Sequence, residues 1–371
     1  MLKFDFRDLM TQATRLTQAG KLQAATAAIQ AALGQGTPPE RPADEAGEII
    51  DVEMREVNDA HSSTSFHDMA PAPDLEQARP SPAYKAPPRA GRFVAGHYGE
   101  GTGRRDYKLY IPPGAGTRPL PLIVMLHGCT QNPDDFAVGT QMNDVAQERD
   151  FFVLYPAQSR RANPQGCWNW FKHTHQRRGR GEPALIAGMT RDVMANHSID
   201  ADRIYIAGLS AGGAMAAIMG ETYPELYAAI GVHSGLAAGS ASDLPSALSA
   251  MKGGSTKPFT NASGVPTIVF HGDADATVHH GNGEQIIVAA AGSKAKFEED
   301  RVKTRGSRSY TRRVHRGSDG GVVAEHWVVH GAAHAWSGGS ANGSYTDPQG
   351  PDASIEMLRF FLAHPRSHTI N

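Results

Sequence analysis

Only two of the 371 residues are cysteine, Cys129 and Cys167. The fold therefore cannot be a small scaffold held by several disulfides, although one bridge can form. No run reaches the roughly 18 consecutive apolar residues that a membrane span needs. The formal net charge is −2, without the basic excess typical of nucleic-acid-binding proteins. With these classes excluded, the length suits a full α/β core with residues left over for an appendage.

The first ninety residues differ in composition from the rest. Residues 1–33 have apolar positions at helical spacing on both sides of Gly20, which predicts a short helical hairpin. A single hairpin cannot bury its own apolar face, so we expect it to dock on its own domain, a second copy or an external surface. Residues 34–90 are rich in proline, and 40–59 carry eight acids against two arginines, which predicts a disordered linker. The N-terminus lacks the pattern of a secretory signal, which predicts a cytoplasmic location.

Residues 91–365 alternate short apolar strands with helical segments. The predicted strands are Tyr107–Ile111, Leu120–Leu126, Phe151–Pro156, a run from Arg203, Ala228–Val232, Thr267–Phe270 and Glu325–Val329, and the main predicted helices are 184–197 and 352–362. This alternation predicts an α/β catalytic domain in which helices cover both faces of a mostly parallel sheet.

The run from Arg203 leads into Gly208-x-Ser210-x-Gly212, which is followed by good helix formers. A strand, a sharp glycine-flanked turn and a helix are the setting of the nucleophile elbow in α/β-hydrolases. The alternative is a chance match in a chain that contains 40 glycines. The pattern favours Ser210 as a catalytic nucleophile.

A catalytic serine needs a histidine as base and an acid that orients the histidine. Asp273 and Asp275 follow one predicted strand, and Asp275 is favoured because such loops need a few residues to turn back over the sheet. His334 follows the last predicted strand and is favoured over four other histidines nearby, namely His279, His280, His326 and His330. No tight metal-ligand spacing is visible, so we expect no metal and no cofactor.

The oxyanion formed in acyl transfer needs two backbone donors. One is expected from Ala211, directly after the nucleophile, and the other from Cys129 or its neighbour Thr130 in the loop after Leu120–Leu126. Cys129 and Cys167 both lie in loops expected above the same edge of the sheet. We therefore predict that their Cα atoms lie within ~7 Å of each other, close enough for a disulfide.

Several motifs together resemble the polyhydroxybutyrate depolymerase family of esterases. They are His127-Gly128-Cys129, Tyr155-Pro156-x-Gln158-Ser159, Gly166-Cys167-Trp168-Asn169-Trp170-Phe171, the elbow, His271-Gly272-x-x-Asp275 and His334-Ala335-Trp336-Ser337-Gly338-Gly339. The resemblance implies an α/β-hydrolase that cleaves short-chain hydroxyalkanoate esters, with Ser210, Asp275 and His334 at the family's triad positions. Feruloyl and acetylxylan esterases share much of this set and are the alternative. Many members of the family are extracellular, which is the alternative location.

Three tryptophans are candidates for substrate binding, since rigid indole faces pack well on an aliphatic polyester. They are Trp168, Trp170 and Trp336, and the alternative is that they are ordinary core aromatics. A polyhydroxyalkanoate granule surface is the expected macromolecular partner, with the arm of residues 1–33 as the part that binds it. The alternative of another class is a catalytically silent granule-associated protein.

Overall fold

The computed structural model describes residues 90–366, apart from 101–102, 254–263 and 304. The predicted arm of residues 1–33 lies outside this range, and so does the predicted linker except for Ala90, so both remain predictions. The strands are β1 (Arg92–Tyr98), β2 (Arg105–Ile111), β3 (Leu120–Leu126), β4 (Phe152–Pro156), β5 (Ile199–Leu209), β6 (Ala229–His233), β7 (Thr267–Gly272), β8 (Phe297–Val302), β9 (Tyr310–Arg316), β10 (Val322–Val329), β11 (Trp336–Ser337) and β12 (Thr346–Asp347). The helices are α1 (Pro133–Thr140), α2 (Met142–Arg149), α3 (Gly181–Asn196), α4 (Ala211–Thr222), α5 (Leu244–Met251), α6 (Gly281–Ala291) and α7 (Ala353–Leu362).

Ten strands form one sheet in the order β1-β2-β4-β3-β5-β6-β7-β10-β9-β8. The six inner strands, from β4 to β10, are parallel to one another. At both edges the pairing is antiparallel. The prediction of a mostly parallel sheet is therefore confirmed for the inner strands.

The sequence did not predict the β8–β9 hairpin at one edge. The β8 strand is Phe-Glu-Glu-Asp-Arg-Val, and five of its six residues are exposed, so it has no buried face to produce an alternating pattern. Ion pairs join it to β9, with Glu298 bound to Arg316 and Glu299 bound to Arg313. A charged edge strand of this kind resists pairing with another chain.

The inner strands are buried on both faces, as β3 shows. Leu122 and Val124 belong to a core cluster with α3 and α4, whereas Ile123 and Met125 belong to a cluster on the opposite face with α1, α2 and α7. All four side chains are completely buried. Helices therefore cover both faces, as the run of apolar residues predicted.

The parallel strands bring the predicted site residues to one edge of the sheet. β3 ends before residues 127–131, the predicted oxyanion loop, β5 ends before Ser210, β7 ends before Asp275, and β10 ends before His334. In open α/β sheets, ligands bind outside the carboxyl ends of the strands, so this edge is where a site is expected. None of the described helices has both the length and the apolar character that a membrane crossing requires.

Candidate active site

Ser210 lies in the turn between β5 and α4 with φ 58° and ψ −118°. Non-glycine residues rarely adopt a left-handed φ, and such strain is common at functional sites. A Cβ on Gly208 would lie 2.4 Å from the carbonyl carbon of Gly212, and one on Gly212 would lie 2.0 Å from the carbonyl oxygen of Leu126. The glycines on either side of Ser210 are therefore required by close backbone approach. The predicted strand, sharp turn and helix are confirmed.

His334 and Asp275 are brought together from two loops that are far apart in sequence. His334 Nδ1 lies 2.7 Å from Asp275 Oδ2. The Asp275 side chain is completely buried, while that of His334 is 12% exposed. The other carboxylate oxygen, Oδ1, accepts the amides of Thr277 at 2.9 Å and Val278 at 2.8 Å. The carboxylate is thus fixed on one side, and its second oxygen faces the imidazole.

Burial by itself would raise the pKa of the Asp275 carboxyl. Hydrogen bonds from His271, His334 and the Val278 amide, together with the nearby His334 ring, outweigh burial and hold this pKa well below its usual value. Asp275 is therefore ionised at neutral pH and accepts a hydrogen bond from His334 Nδ1–H. That bond sets the tautomer with the lone pair on His334 Nε2, which is the tautomer that the predicted role of a base requires.

The rival aspartate and one rival histidine form a separate pair. Asp273 Oδ2 lies 2.8 Å from His330 Nδ1, and Asp273 Oδ1 accepts the Gly331 amide at 2.6 Å. His330 Nε2 lies 2.9 Å from Thr311 Oγ1. Both ring nitrogens of His330 are thus engaged away from Ser210, and Asp273 orders the turn after β10.

The remaining rival histidines do not contact Asp275 either. His326 lies within β10 and is buried, and burial is the main cause that lowers its pKa to about 3. The rings of His279 and His280 stack on each other at 4.6 Å between centroids. Of the candidate bases that the sequence offered, the structure places His334 on Asp275.

The loop after β3 lies against the elbow. A Cβ on Gly128 would be 3.7 Å from Ser210 Cβ, and the Gly128 amide donates to Gln131 Oε1 at 2.9 Å. The Thr130 amide already donates to the carbonyl oxygen of Gln165 at 2.9 Å. Of the two candidate donors left open by the sequence, this bond favours Cys129 as the predicted partner of Ala211, the first residue of α4.

Cys129 and Cys167 form a disulfide with a Cα–Cα distance of 4.2 Å. The predicted proximity is confirmed. The same loops are also joined by a hydrogen bond from Trp168 Nε1 to the carbonyl oxygen of His127 at 3.0 Å. The segment around Cys167 thus holds the oxyanion loop by one covalent bond and one hydrogen bond.

The candidate substrate-binding tryptophans are all buried. Trp168 is 3% exposed, Trp170 6% and Trp336 1%. The first two pack in the core cluster of α3 and α4, while Trp336 packs on the opposite face and donates to Ser354 Oγ at 3.1 Å. These positions favour the alternative that the indoles are core aromatics, because so little of their surface is open to a substrate. Their contacts instead fix the loops that carry Cys167 and His334.

Sequence reasoning missed a buried carboxylate that anchors the tryptophan segment. Glu182 is 1% exposed and accepts the Asn169 amide at 2.7 Å, Asn169 Nδ2 at 2.6 Å and Gln158 Nε2 at 2.5 Å. Burial raises its pKa, but hydrogen bonds from His175, Gln158 and Asn169 lower it by more. The only signal in the sequence was an acid at the start of a helix, which usually means a favourable contact with the helix dipole.

The sequence predicted no role for two buried histidines near the elbow, although one of them, His127, opens a family motif. His127 Nε2 accepts the Gln158 amide at 3.1 Å, so its Nδ1–H donates to the Gly128 carbonyl at 2.8 Å; burial is the main cause that lowers its pKa to about 4. The His233 carbonyl accepts the Ser210 amide at 2.9 Å, and its Nε2 accepts the Ser337 amide at 3.0 Å. Burial, reinforced by His271 and His334, holds the pKa of His233 well below its usual value. Both rings join loops of the candidate site through their hydrogen bonds.

Among the described residues, no group of three or more His, Cys, Asp or Glu side chains is arranged to hold a metal ion. The sheet and the elbow define the chain as an α/β-hydrolase. Its fold also matches that of a solved structure, the acetyl xylan esterase from Aspergillus awamori, with a TM-score of 0.57 and 17% identity over 73% of this chain and 99% of that one.

The chain belongs to the family described as Esterase PHB depolymerase, whose model matches residues 105–296. The family resemblance that the motifs indicated is therefore confirmed. The matched segment contains Ser210 and Asp275 and ends before His334.

Curated relatives of the chain carry esterase or depolymerase names, as two of them illustrate. Poly(3-hydroxyalkanoate) depolymerase C of Paucimonas lemoignei is 29% identical over 252 residues, which are 64% of this chain and 60% of the relative. Feruloyl esterase B of Neurospora crassa is 34% identical over 141 residues, 37% of this chain and 47% of the relative. The chain thus spans about half to three-fifths of the length of these relatives.

Proposed function

We propose that this chain is a serine carboxylesterase that hydrolyses poly(3-hydroxybutyrate) or short-chain hydroxyalkanoate esters, with residues 91–365 as its catalytic domain. The observation that carries the proposal is the 2.7 Å bond between His334 Nδ1 and Asp275 Oδ2, at the sheet edge where the elbow presents Ser210. Membership of the family supports ester hydrolysis. The name of the Paucimonas lemoignei relative supports a hydroxyalkanoate acyl group.

In the proposed mechanism, Ser210 Oγ attacks the ester carbonyl while His334 Nε2 takes the hydroxyl proton. The amides of Cys129 and Ala211 bind the oxyanion, and ionised Asp275 stabilises the imidazolium through Nδ1. His334 then gives its proton to the leaving alkoxide, which completes the acyl-enzyme. A water molecule, deprotonated by His334, attacks the acyl carbonyl, and collapse of that intermediate returns the proton to Ser210 and releases the acid.

The nucleophile is tested by Ser210→Ala, with Ser318→Ala as a matched control. Ser318 is an exposed serine in the turn between β9 and β10, at the opposite edge of the sheet. We expect Ser210→Ala to lower kcat for a chromogenic butyrate ester roughly a million-fold, with little change in Tm, because only one hydroxyl is lost. His334→Ala is expected to cost about as much, and the double variant little more, since triad members act as a unit. Turnover retained in either single variant contradicts the assignment.

The relatives also support a feruloyl or acetylxylan esterase as the second candidate. Wild-type kcat/KM for 3-hydroxybutyrate oligomers, feruloyl esters and acetylated sugars separates the candidates, because each acyl class is then ranked on one enzyme. Burst kinetics with the butyrate ester separates an enzyme from a catalytically silent granule protein, which gives no acyl-enzyme burst.

The proposed macromolecular partner is a polyhydroxyalkanoate granule surface.

The Cys129–Cys167 bridge bears on the location of the protein, because stable disulfides are typical of oxidising compartments. It favours the extracellular alternative over the cytoplasmic location that the N-terminus predicted. Determining the thiol content of protein isolated under alkylating conditions tests this point.

A further inference from the structure

Two hydroxyl side chains lie together on the solvent side of the oxyanion loop. Tyr345 Oη is 3.3 Å from Thr130 Oγ1, and both residues are exposed, Tyr345 by 48%. Thr130 comes directly after the proposed oxyanion donor Cys129 and two residues after Gly128, which lies against Ser210. The pair is therefore at the rim of the site, on its oxyanion side.

Both residues have left-handed backbone conformations, with φ 66° at Thr130 and φ 52° at Tyr345. For a β-branched or bulky residue this conformation is strained and persists only where neighbouring contacts impose it. Here backbone hydrogen bonds hold both residues in this conformation. The Thr130 amide donates to Gln165, and the Tyr345 carbonyl accepts the Trp336 amide at 2.7 Å.

The residue before Tyr345 is held even more firmly. The Ser344 amide donates to Asp135 Oδ1 at 2.8 Å, and Ser344 Oγ donates to Asp135 Oδ2 at 2.5 Å. The Ser344 carbonyl accepts Gln131 Nε2 at 3.0 Å, and Gln131 in turn accepts the Gly128 amide. A rigid frame thus fixes the Tyr345 backbone relative to the oxyanion loop while the phenol itself stays exposed.

The hydrogen-bond roles make the Tyr345 phenol the donor of the pair, and its proton is only weakly engaged. Thr130 Oγ1 donates its proton to the Cys129 carbonyl at 2.5 Å, so the hydroxyl pair is joined only by a donation from Tyr345. At 3.3 Å that bond is long for O–H···O and weak. A substrate oxygen next to the scissile ester can replace Thr130 as the acceptor at little cost.

We propose that Tyr345 is a specificity residue that donates a hydrogen bond to the oxygen on C3 of a 3-hydroxyacyl group. This inference rests on the proposed function. It adds that the site recognises the oxygen on C3 of the acyl group. Butyryl and acetyl esters have no oxygen at C3, and the oxygens of a feruloyl group lie at the far end of a rigid ring system. The contact therefore favours hydroxyalkanoates over the other acyl classes.

The test compares the p-nitrophenyl esters of butyrate and (R)-3-hydroxybutyrate, which share a leaving group and differ only at C3. The measured quantity is the ratio of kcat/KM for the hydroxy ester to that for the butyrate ester. Tyr345→Phe is expected to lower this ratio by about three- to tenfold, the worth of one neutral hydrogen bond. Tyr110→Phe is the matched control. It removes a phenol on β2 that bonds to Gln147 of α2, and β4 and β3 separate β2 from the strand that leads to Ser210, so the ratio is expected to stay unchanged.

A ratio that Tyr345→Phe leaves unchanged overturns the inference, whether both activities fall together or neither moves. That result leaves the proposed function intact, because the wild-type protein still hydrolyses the esters. If wild type turns over neither ester, the proposed function fails and the inference fails with it.

Discussion

Removal of the Cys129–Cys167 bridge is expected to destabilise the protein by an amount set mainly by loop length. The two cysteines are 38 residues apart in sequence. In the chain-entropy description, a cross-link over such a loop removes about 13 cal/mol/K from the unfolded state, which is about 4 kcal/mol at 25 °C. For a domain of this size, 1 kcal/mol changes Tm by roughly 2 °C. We therefore expect Cys129→Ala/Cys167→Ala to lower Tm by about 8 °C.

The effect on turnover is expected to be smaller. Loss of an oxyanion donor outright costs roughly a hundred- to a thousand-fold in kcat. The Cys129 amide survives the substitution, however, and three hydrogen bonds still hold its loop, from the amides of Gly128 and Thr130 and from Trp168 Nε1. We expect kcat to fall by less than about tenfold.

Thermal melts and kinetics of wild type and the double variant, each with and without dithiothreitol, measure both effects. Reductant is expected to lower the wild-type Tm toward that of the variant and to leave the variant unchanged. A wild-type shift below about 2 °C, or an equal shift in both proteins, contradicts the idea that this bridge constrains the unfolded chain.

The other predictions concern acid stability and the N-terminal arm. The unfolded chain protonates His127 near its ordinary pKa of about 6.5, whereas the folded protein does so near 4. The stability from this buried neutral ring is thus present above pH 6.5, and about 3 kcal/mol is lost as pH falls to 4. Urea melts give the free energy of unfolding at pH 7 and at pH 4.5. The loss between the two pH values is expected to be smaller for His127→Gln than for wild type, and an equal loss in both proteins refutes the assignment. Deletion of residues 1–90 is expected to leave turnover of a soluble ester nearly unchanged but to reduce co-sedimentation with amorphous granules, because a tether raises local concentration at a bound surface. Undiminished granule binding excludes a targeting arm, and precipitation or lost ester activity indicates that the arm belongs to the fold.

The sequence determined the features that depend on a few neighbouring residues. The elbow could be predicted because the strand before it, the glycines at 208 and 212 and the helix formers after it are contiguous. The inner strands could be predicted because burial on both faces leaves uninterrupted apolar runs. The candidate acid and base followed from strand order, since the carboxyl ends of parallel strands share one edge of the sheet.

The tertiary structure decided which partner each polar group takes. Asp273 and Asp275 are two residues apart and follow the same strand, yet one binds His330 and the other His334, because each faces a different part of the loop after β10. Thr130 and Cys129 are adjacent candidates for the second oxyanion donor. Cys129 is favoured only because the Thr130 amide donates to the Gln165 carbonyl. The charged β8 strand could not be predicted from the sequence, because its pairing is fixed by backbone hydrogen bonds and cross-strand ion pairs rather than by burial. The exposure of Tyr345 and the burial of Trp336 likewise depend on contacts with segments more than a hundred residues away, which no local pattern records.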